Sequence, residues 1–556
     1  MKISVNNVML EVHDGARAKE AVLKFYSHTG RKIPRRIPRI TDPYGNDVAP
    51  DGELSDGNSL FTGLSGRKRK TLTLILTLIV TGIILSSCST RLKTASTVVP
   101  DRQAVIFAVN DIHATIDNFP KLAWITDSLR KLYPTMLVVS GGDNQTGNPV
   151  SDQYPEKGFP VIDLMNATGF NLSAVGNHEF DTGPAGFANL TQKADFDFIC
   201  ANVSASPSLP IKLAPYKIIT LHNGLRLAFL GLLQINQNGI PDSHPDNLKE
   251  FVFSSPFETA PKYMYLTDSS DILIALTHLG FESDVRLAET LPGGIDLIIG
   301  GHSHTKVDRE QIHNDVLITQ ASNKLSFGTL IKLNLKSDGT LERSMQLVDI
   351  RNSIKEKPSV RAMVDKYNDN PSLNEVVATA TDDFSSYAEL GYLMADAQRS
   401  AAGADIALVN PGGVRINHLP KGPVTMMNIY QLDPFGNNLI LTRLTGHEII
   451  DLMKAAFPVD DDAPLYPSGI KILIRTDASG KPVSFALLDM DGNPVNLDRT
   501  YTVAMNSYMT QVYRYRHEDP GHSLYVRTAD ATIGYLRKTG TIRSYRGENR
   551  IIRERQ

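Results

Sequence analysis

Two cysteines in 556 residues are too few for a disulfide framework, which excludes the small secreted folds held together by bridges. Charge of neither sign is in excess. The 57 Lys and Arg against 60 Asp and Glu leave a net charge of -3, which argues against the basic footprint of a polymeric nucleic-acid binder. Long hydrophobic runs are missing as well: the stretch 71–85 has fifteen residues without a charge, short of the roughly 20 needed to span a bilayer. No repeat recurs at a fixed period and no long tract has low complexity, so a solenoid is excluded. What remains is ordinary globular material, 41% hydrophobic and 21% charged. The chain is too long for one core, and two or more domains are expected.

The uncharged stretch 71–85 follows Arg67-Lys68-Arg69-Lys70 and ends in Leu85-Ser86-Ser87-Cys88. Its length suits a signal h-region. The ending resembles a bacterial lipoprotein box, which implies that Cys88 is lipidated and becomes the mature N-terminus, with the positive cluster left on the cytoplasmic side. The other reading is an uncleaved signal anchor with Cys88 incidental. Both place the residues after 88 outside the cytoplasm, periplasmic or at the cell surface, tied to a membrane. A lipidated Cys88 leaves Cys200 without a disulfide partner, and its apolar run 196–201 predicts a buried, inert thiol. Upstream, alternating apolar positions around Asn6-Asn7 suggest a hairpin, 16–26 reads as a helix, and Asp51-Gly52 and Asp56-Gly57 punctuate a strand ending near Phe61. This order is similar to the β-grasp sulfur carriers but lacks their terminal Gly-Gly. Residues 1–66 are therefore expected to form a small β-grasp-like module, or else to belong to an upstream frame that is not normally translated.

Residues 89–103, rich in Ser, Thr, Lys and Pro, suit a solvated tether. From 104 to 350 short β-branched apolar runs alternate with amphipathic stretches, the pattern of an α/β layered domain. Polar residues with Pro358 and Asn368-Asp369-Asn370-Pro371 as breakers make 351–374 a linker. A second α/β unit is expected over 375–546, followed by a solvated Arg- and Glu-rich tail.

Five apolar runs end in residues that bind divalent cations. Run 105–109 leads into Asp111-Ile112-His113, 136–139 into Gly142-Asp143-Asn144, and 172–175 into Gly176-Asn177-His178-Glu179. Run 272–276 leads to His278, and 295–299 to Gly300-Gly301-His302-Ser303-His304. Each motif alone reads equally well as a turn or a satisfied histidine. Their recurrence after successive strands is another matter, because open α/β sheets gather their sites along the rim of strand C-termini.

On these motifs the sequence resembles the calcineurin-like metallophosphoesterases, and among them the 5'-nucleotidase family with its UDP-sugar hydrolases and 2',3'-cyclic-nucleotide phosphodiesterases, over about 104–545. The resemblance implies a four-layer sandwich and a second α/β substrate-binding domain. It also implies two divalent metal ions: Asp111, His113, Asp143 and His304 on one, Asp143, Asn177, His278 and His302 on the other. A hydroxide bridging the two would attack phosphorus in line. Carboxylate and imidazole donors without thiolate suit Zn, Mn, Fe or Co, and Mg remains open. In the family a histidine and carboxylate pair, here His178 and Asp181, stabilises the transition state or protonates the leaving oxygen. Asp181 followed by Thr182-Gly183-Pro184 also reads as a helix cap.

The second domain carries Asn410-Pro411-Gly412-Gly413-Val414-Arg415, which looks like the family's Asn-Gly-Gly-Gly-Ile-Arg motif. Arg415 would grip phosphate oxygens and Asn410 would add a hydrogen bond. Pro434-Phe435-Gly436-Asn437 matches a second signature, with Phe435 stacking on a nucleobase and Tyr508 offered for its other face. Two family features are absent. Thr510-Gln511-Val512-Tyr513 stands where relatives have Gly-Gly-Asp-Gly, and Ser385-Ser386-Tyr387 stands where they have an arginine. The expected substrate is thus a nucleotide or another small phosphoester, with cyclic nucleotides and UDP-sugars as alternatives. An exported metal-containing binding protein is the alternative outside catalysis, and the oligomeric state is left open.

Overall fold

The strand Arg102–Val109 is buried on both faces from Ala104 onward, and its side chains sort by the period of two that a strand imposes. Val105, Phe107 and Val109 face one apolar cluster, and Ala104, Ile106 and Ala108 face another. This double burial reveals the layering. The strand sits in a seven-stranded sheet, beside Leu137–Ser140 and then Leu172–Ala174, all parallel. A second, six-stranded sheet contains Arg226–Leu233, Ile272–His278 and Leu297–Ile299, also parallel. Phe229, Ile274, Leu276 and Ile299 of the second sheet meet Ile106, Val139 and Ala174 of the first in one cluster. Helices cover the outer faces: Phe119–Leu132 and Phe159–Thr168 pack on the first sheet, and Phe281–Thr290 on the second. The result is helix, sheet, sheet, helix.

The computed structural model describes residues 1–12, 16–29, 37–62, 100–152, 154–237, 239–243, 245–291, 293–369, 371–459, 464–478, 481–513, 515–519 and 521–555. The segment 67–88 read as an export signal, with Cys88, and the stretch read as a tether as far as residue 99, lie outside them. Among the described residues no helix is long and apolar enough to cross a membrane.

The second α/β unit is built on a five-stranded sheet in which Ile406–Val409 runs parallel to Thr500–Asn506. Two features differ from the sequence reading. Pro358, read as a breaker in a linker, opens the helix Pro358–Asn368 at a position where its missing N–H costs nothing. That helix packs on the helices over the first sheet through Val360, Val364 and Tyr367, whose hydroxyl donates to Asp163 at 2.6 Å. The tail, expected as a solvated end, instead supplies the strand Ile551–Arg555, parallel to Lys471–Thr476. Arg550 just before it donates two bonds, 2.6 and 3.0 Å, to the Asp396 carboxylate.

Residues 1–62 form a hairpin of Lys2–Val5 and Val8–Glu11, a helix Ala18–His28, and three further strands, with Ser59–Thr62 parallel to Lys2–Val5. They enclose a core of Ile3, Val5, Leu10, Val22, Phe25, Leu54 and Leu60. The edge strand Asp47–Val48 of this module pairs antiparallel with Thr305–Lys306, which follows the second sheet's strand Leu297–Ile299.

Candidate metal centre and substrate site

All five motifs leave the C-terminal ends of parallel strands of the two facing sheets, and they converge. Asp111, His113 and His304 form one group whose nitrogen and oxygen donors lie within 4.8 Å of one another, and Asp111, Asp143 and His278 form a second. His278 Nε2 is 3.1 Å from Asp143 Oδ2 and 3.9 Å from Asp111 Oδ1. His113 Nε2 is 3.9 Å from the same Asp143 oxygen, and His304 Nε2 is 3.4 Å from Asp111 Oδ1. Asn177 Oδ1 lies 3.2 Å from His302 Nδ1. Asp111, Asp143, Asn177, His278 and His302 are each at most 1% exposed.

The backbone is strained to achieve this. Asp111, His113, Asp143, His302 and His304 all have positive φ, between 48° and 79°, a region that costs a non-glycine residue about 1–2 kcal/mol. Cross-loop bonds hold them there. The amides of Asp111 and His113 donate to the carbonyls of Gly142 and Asp143 at 2.9 and 3.0 Å. The Glu179 carboxylate accepts from the amides of Asp143, Asn144 and Gly176 at 2.6–3.0 Å. Gly176 must be glycine, since a Cβ there would lie 2.1 Å from Asp143 Oδ1.

The donor set fits divalent cations. His278 donates from Nδ1 to the Gly141 carbonyl at 2.7 Å, which fixes its tautomer and turns Nε2 to the centre, where its neighbour is the Asp143 carboxylate at 3.1 Å. The Nε2 of His302 is buried with no hydrogen-bond partner, an arrangement that costs about 1–3 kcal/mol if nothing satisfies it. The Nε2 atoms of His113 and His304 face each other at 2.9 Å. Charge tells the same story. Burial opposes ionisation of Asp143, yet His278 and His178 hold its carboxyl well below the usual range. Burial likewise disfavours charge on His278 and His304, but Asp143 and Asp111 raise them to about 10 and about 9. The centre draws positive charge, for which protons and cations compete.

His178 Nδ1 meets Asp181 Oδ2 at 2.6 Å, and Asp181 Oδ1 accepts from Ser243 Oγ at 3.0 Å. The following helix is capped by Thr182, with no side-chain cap bond, so Asp181 orients the imidazole and does not cap. Burial lowers His178, but Asp181 and Asp143 outweigh it and raise the imidazole well above its ordinary value.

In the second unit the Arg415 guanidinium lies over the Phe435 ring, 5.2 Å from its centroid. Asn410 accepts from Asn506 Nδ2 at 2.8 Å, which ties two neighbouring strand ends together. Asn437 accepts from Ser507 Oγ at 3.4 Å, and Tyr508 meets Tyr513 edge-on. Asn410 and Asn437 thus have internal partners, while Arg415 and Phe435 form a contiguous cationic and aromatic surface. Cys200 is buried as expected, and burial pushes its thiol up to about 12.

Four participants were not singled out from the sequence. Glu179 organises the loops, and Asp242 joins Glu53 and His302 in another of the four donor groups among the described residues, the remaining one being His113, Asp143 and His178. From the N-terminal module, Glu53 accepts from Asn177 Nδ2 at 3.2 Å and lies 3.3 Å from His178 Nε2. Asp51 lies 3.3 Å from His304 Nδ1. Asp51-Gly52 offered only a turn signal, and nothing in the local pattern connects it to a histidine 253 residues further along the chain.

Residues 104–306 match the calcineurin-like phosphoesterase family and residues 373–512 match the 5'-nucleotidase C-terminal domain. The trifunctional nucleotide phosphoesterase protein YfkN of Bacillus subtilis (strain 168) is 25% identical over 467 residues, which are 73% of this chain and 31% of that protein. The chain therefore spans less than half of that relative's length. A 5'-nucleotidase of Vibrio vulnificus (strain CMCP6) is 27% identical over 472 residues, 73% of this chain and 83% of the relative. The crystal structure of a 5'-nucleotidase precursor from Thermus thermophilus shares the fold, with a TM-score of 0.64 at 24% identity, covering 81% of this chain and 99% of that one. With two matched regions in the expected order and a donor cluster at the rim between the sheets, the chain belongs to the metallophosphoesterases that carry a 5'-nucleotidase C-terminal domain.

Proposed function

We propose that this chain is an exported phosphoesterase that hydrolyses nucleotides. Asp111, His113, Asp143 and His304 would hold one divalent cation, and Asp143, Asn177, His278 and His302 a second. The observation that carries the proposal is the convergence of the buried carboxylates of Asp111 and Asp143 with the imidazoles of His113, His278 and His304, beside a buried His302 Nε2 that no other group satisfies. Bound there, zinc, manganese, iron or cobalt would withdraw charge from a phosphoryl oxygen and lower the pKa of a water. The rest of the work falls to the chain itself. His178, held protonated by Asp181 through Nδ1, presents Nε2–H to the leaving oxygen as general acid. Arg415 pairs with phosphate oxygens, and the Phe435 ring beside it stacks on the base. Export and anchoring rest on residues 67–88, with Cys88 as the lipid attachment point.

The test is turnover of AMP, 2',3'-cyclic AMP and UDP-glucose by this chain and by its fragment from residue 95, with manganese, zinc, cobalt or magnesium added. Asp143→Ala is expected to abolish turnover of every substrate. Phe435→Ala is expected to raise KM for AMP about tenfold, from a stacking contribution of roughly 1–3 kcal/mol, while sparing a base-free phosphoester. Equal losses on both would remove Phe435 from the base site, and turnover by Asp143→Ala would sink the metal assignment.

A further inference from the structure

The N-terminal module lies directly on the motif His302-Ser303-His304. Besides the strand pairing of Asp47–Val48 with Thr305–Lys306, the amides of Ala49 and Glu53 donate to the carbonyls of His304 and His302 at 3.3 and 3.2 Å. Gly52 comes so close that a Cβ on it would lie 2.1 Å from the Ser303 carbonyl oxygen. Tyr44 packs edge-on against Phe281 and His313. The Glu282 carboxylate accepts from the Ser59 amide, and Gln311 donates to Asn46. This is a built interface with matched polar groups along its length.

We propose that the module is an intramolecular plug, in which the turn Asp51-Gly52-Glu53 takes the place of a substrate's anionic oxygens and closes the phosphoester site. The proposal rests on the reading of that site given above. Glu53 is 6% exposed and sets its two oxygens against Asn177 Nδ2 and His178 Nε2, the groups that would meet a phosphoryl oxygen and a leaving oxygen. Asp51 is held by His304 Nδ1, Asn323 Nδ2 and the Lys324 ammonium, the last two at 3.0 and 2.7 Å. The module thus covers the metal motifs, where the phosphate of a nucleotide would have to lie. An anion tethered in cis competes at an effective concentration near millimolar, so modest contacts suffice to exclude substrate. Contact also requires residues 1–62 and the catalytic layers to be on the same side of any membrane. If the segment 67–88 directs export, the plugged form is that of the chain before export, and translocation separates plug from site.

The experiment uses the full chain with manganese and p-nitrophenyl phosphate as probe. Glu53→Ala and, independently, Gly52→Leu are expected to raise kcat/KM at least tenfold, whereas Met9→Ala, on the solvent side of the module, leaves it unchanged. Hydrogen exchange at the Ala49 and Glu53 amides reports docking and is expected to accelerate in Gly52→Leu. Binding of inorganic phosphate, followed by calorimetry, is expected to tighten in both variants by a similar factor. Accelerated exchange with turnover and phosphate binding unchanged or reduced would overturn the plug and make the module a structural part of the site. If no variant hydrolyses any phosphoester, the hydrolase reading fails, but tighter phosphate binding on undocking would still establish the plug.

Discussion

A hydrogen bond of 2.6 Å decides what His178 can do. Asp181 holds Nδ1, so the proton available for chemistry is on Nε2, and the neighbouring carboxylate keeps it there against the effect of burial. His178→Gln is therefore expected to lower kcat on AMP by roughly a hundredfold or more, the usual contribution of a positioned acid, without changing metal content. The loss should shrink on p-nitrophenyl phosphate, whose leaving group needs no proton. Equal losses on both substrates would show that His178 acts otherwise. The residue types were legible from sequence because each motif began within a few residues of the end of an apolar run. The partner of Asp181 was not, since the turn Thr182-Gly183-Pro184 offered it a cap, and only the folded position of the imidazole three residues earlier brings the two within 2.6 Å.

At the level of elements, strand order and type were readable wherever burial on both faces left an unbroken apolar run, as in Ile272–His278. Elements whose stability comes from a distant partner were not readable. The helix Pro358–Asn368 looked like a linker because its solvent face is charged, and the strand Ile551–Arg555 looked like a tail because three of its five residues are Arg or Glu. The strand is secured by Arg550, whose guanidinium pairs with Asp396 and lies near the rings of Tyr392 and Tyr545. Arg550→Met should destabilise the second unit by about 3 kcal/mol, since it leaves a largely enclosed carboxylate without its cation. Urea unfolding followed by far-UV circular dichroism measures this, and an unchanged midpoint would mean that the tail strand contributes little.

At the scale of the whole molecule, the positive-φ loops that carry the donor residues and the unsatisfied His302 imidazole place stored strain where two sheets meet. A bound cation would offset that strain and bind only the folded state. Refilling a chelator-stripped chain to about 100 times the dissociation constant should stabilise the catalytic layers by about 2.7 kcal/mol, an effect that Asp143→Ala should remove. Calorimetric scans with and without metal measure it, and coincident transitions would show that the cluster holds no cation.

The sequence by itself determined the five donor motifs, their order and their attachment to strand ends, because these depend on local periodicity and on the chemistry of Asp, Asn and His. It also carried the hairpin, helix and strand order of residues 1–62. Only the tertiary structure decided that those residues sit on the motif His302-Ser303-His304, that Glu53 reaches His178, and that Asp51 reaches His304. The physical reason is that docking depends on shape and charge matched between segments far apart in the chain. A turn such as Asp51-Gly52-Glu53 has the same local sequence whether it faces water or closes a site.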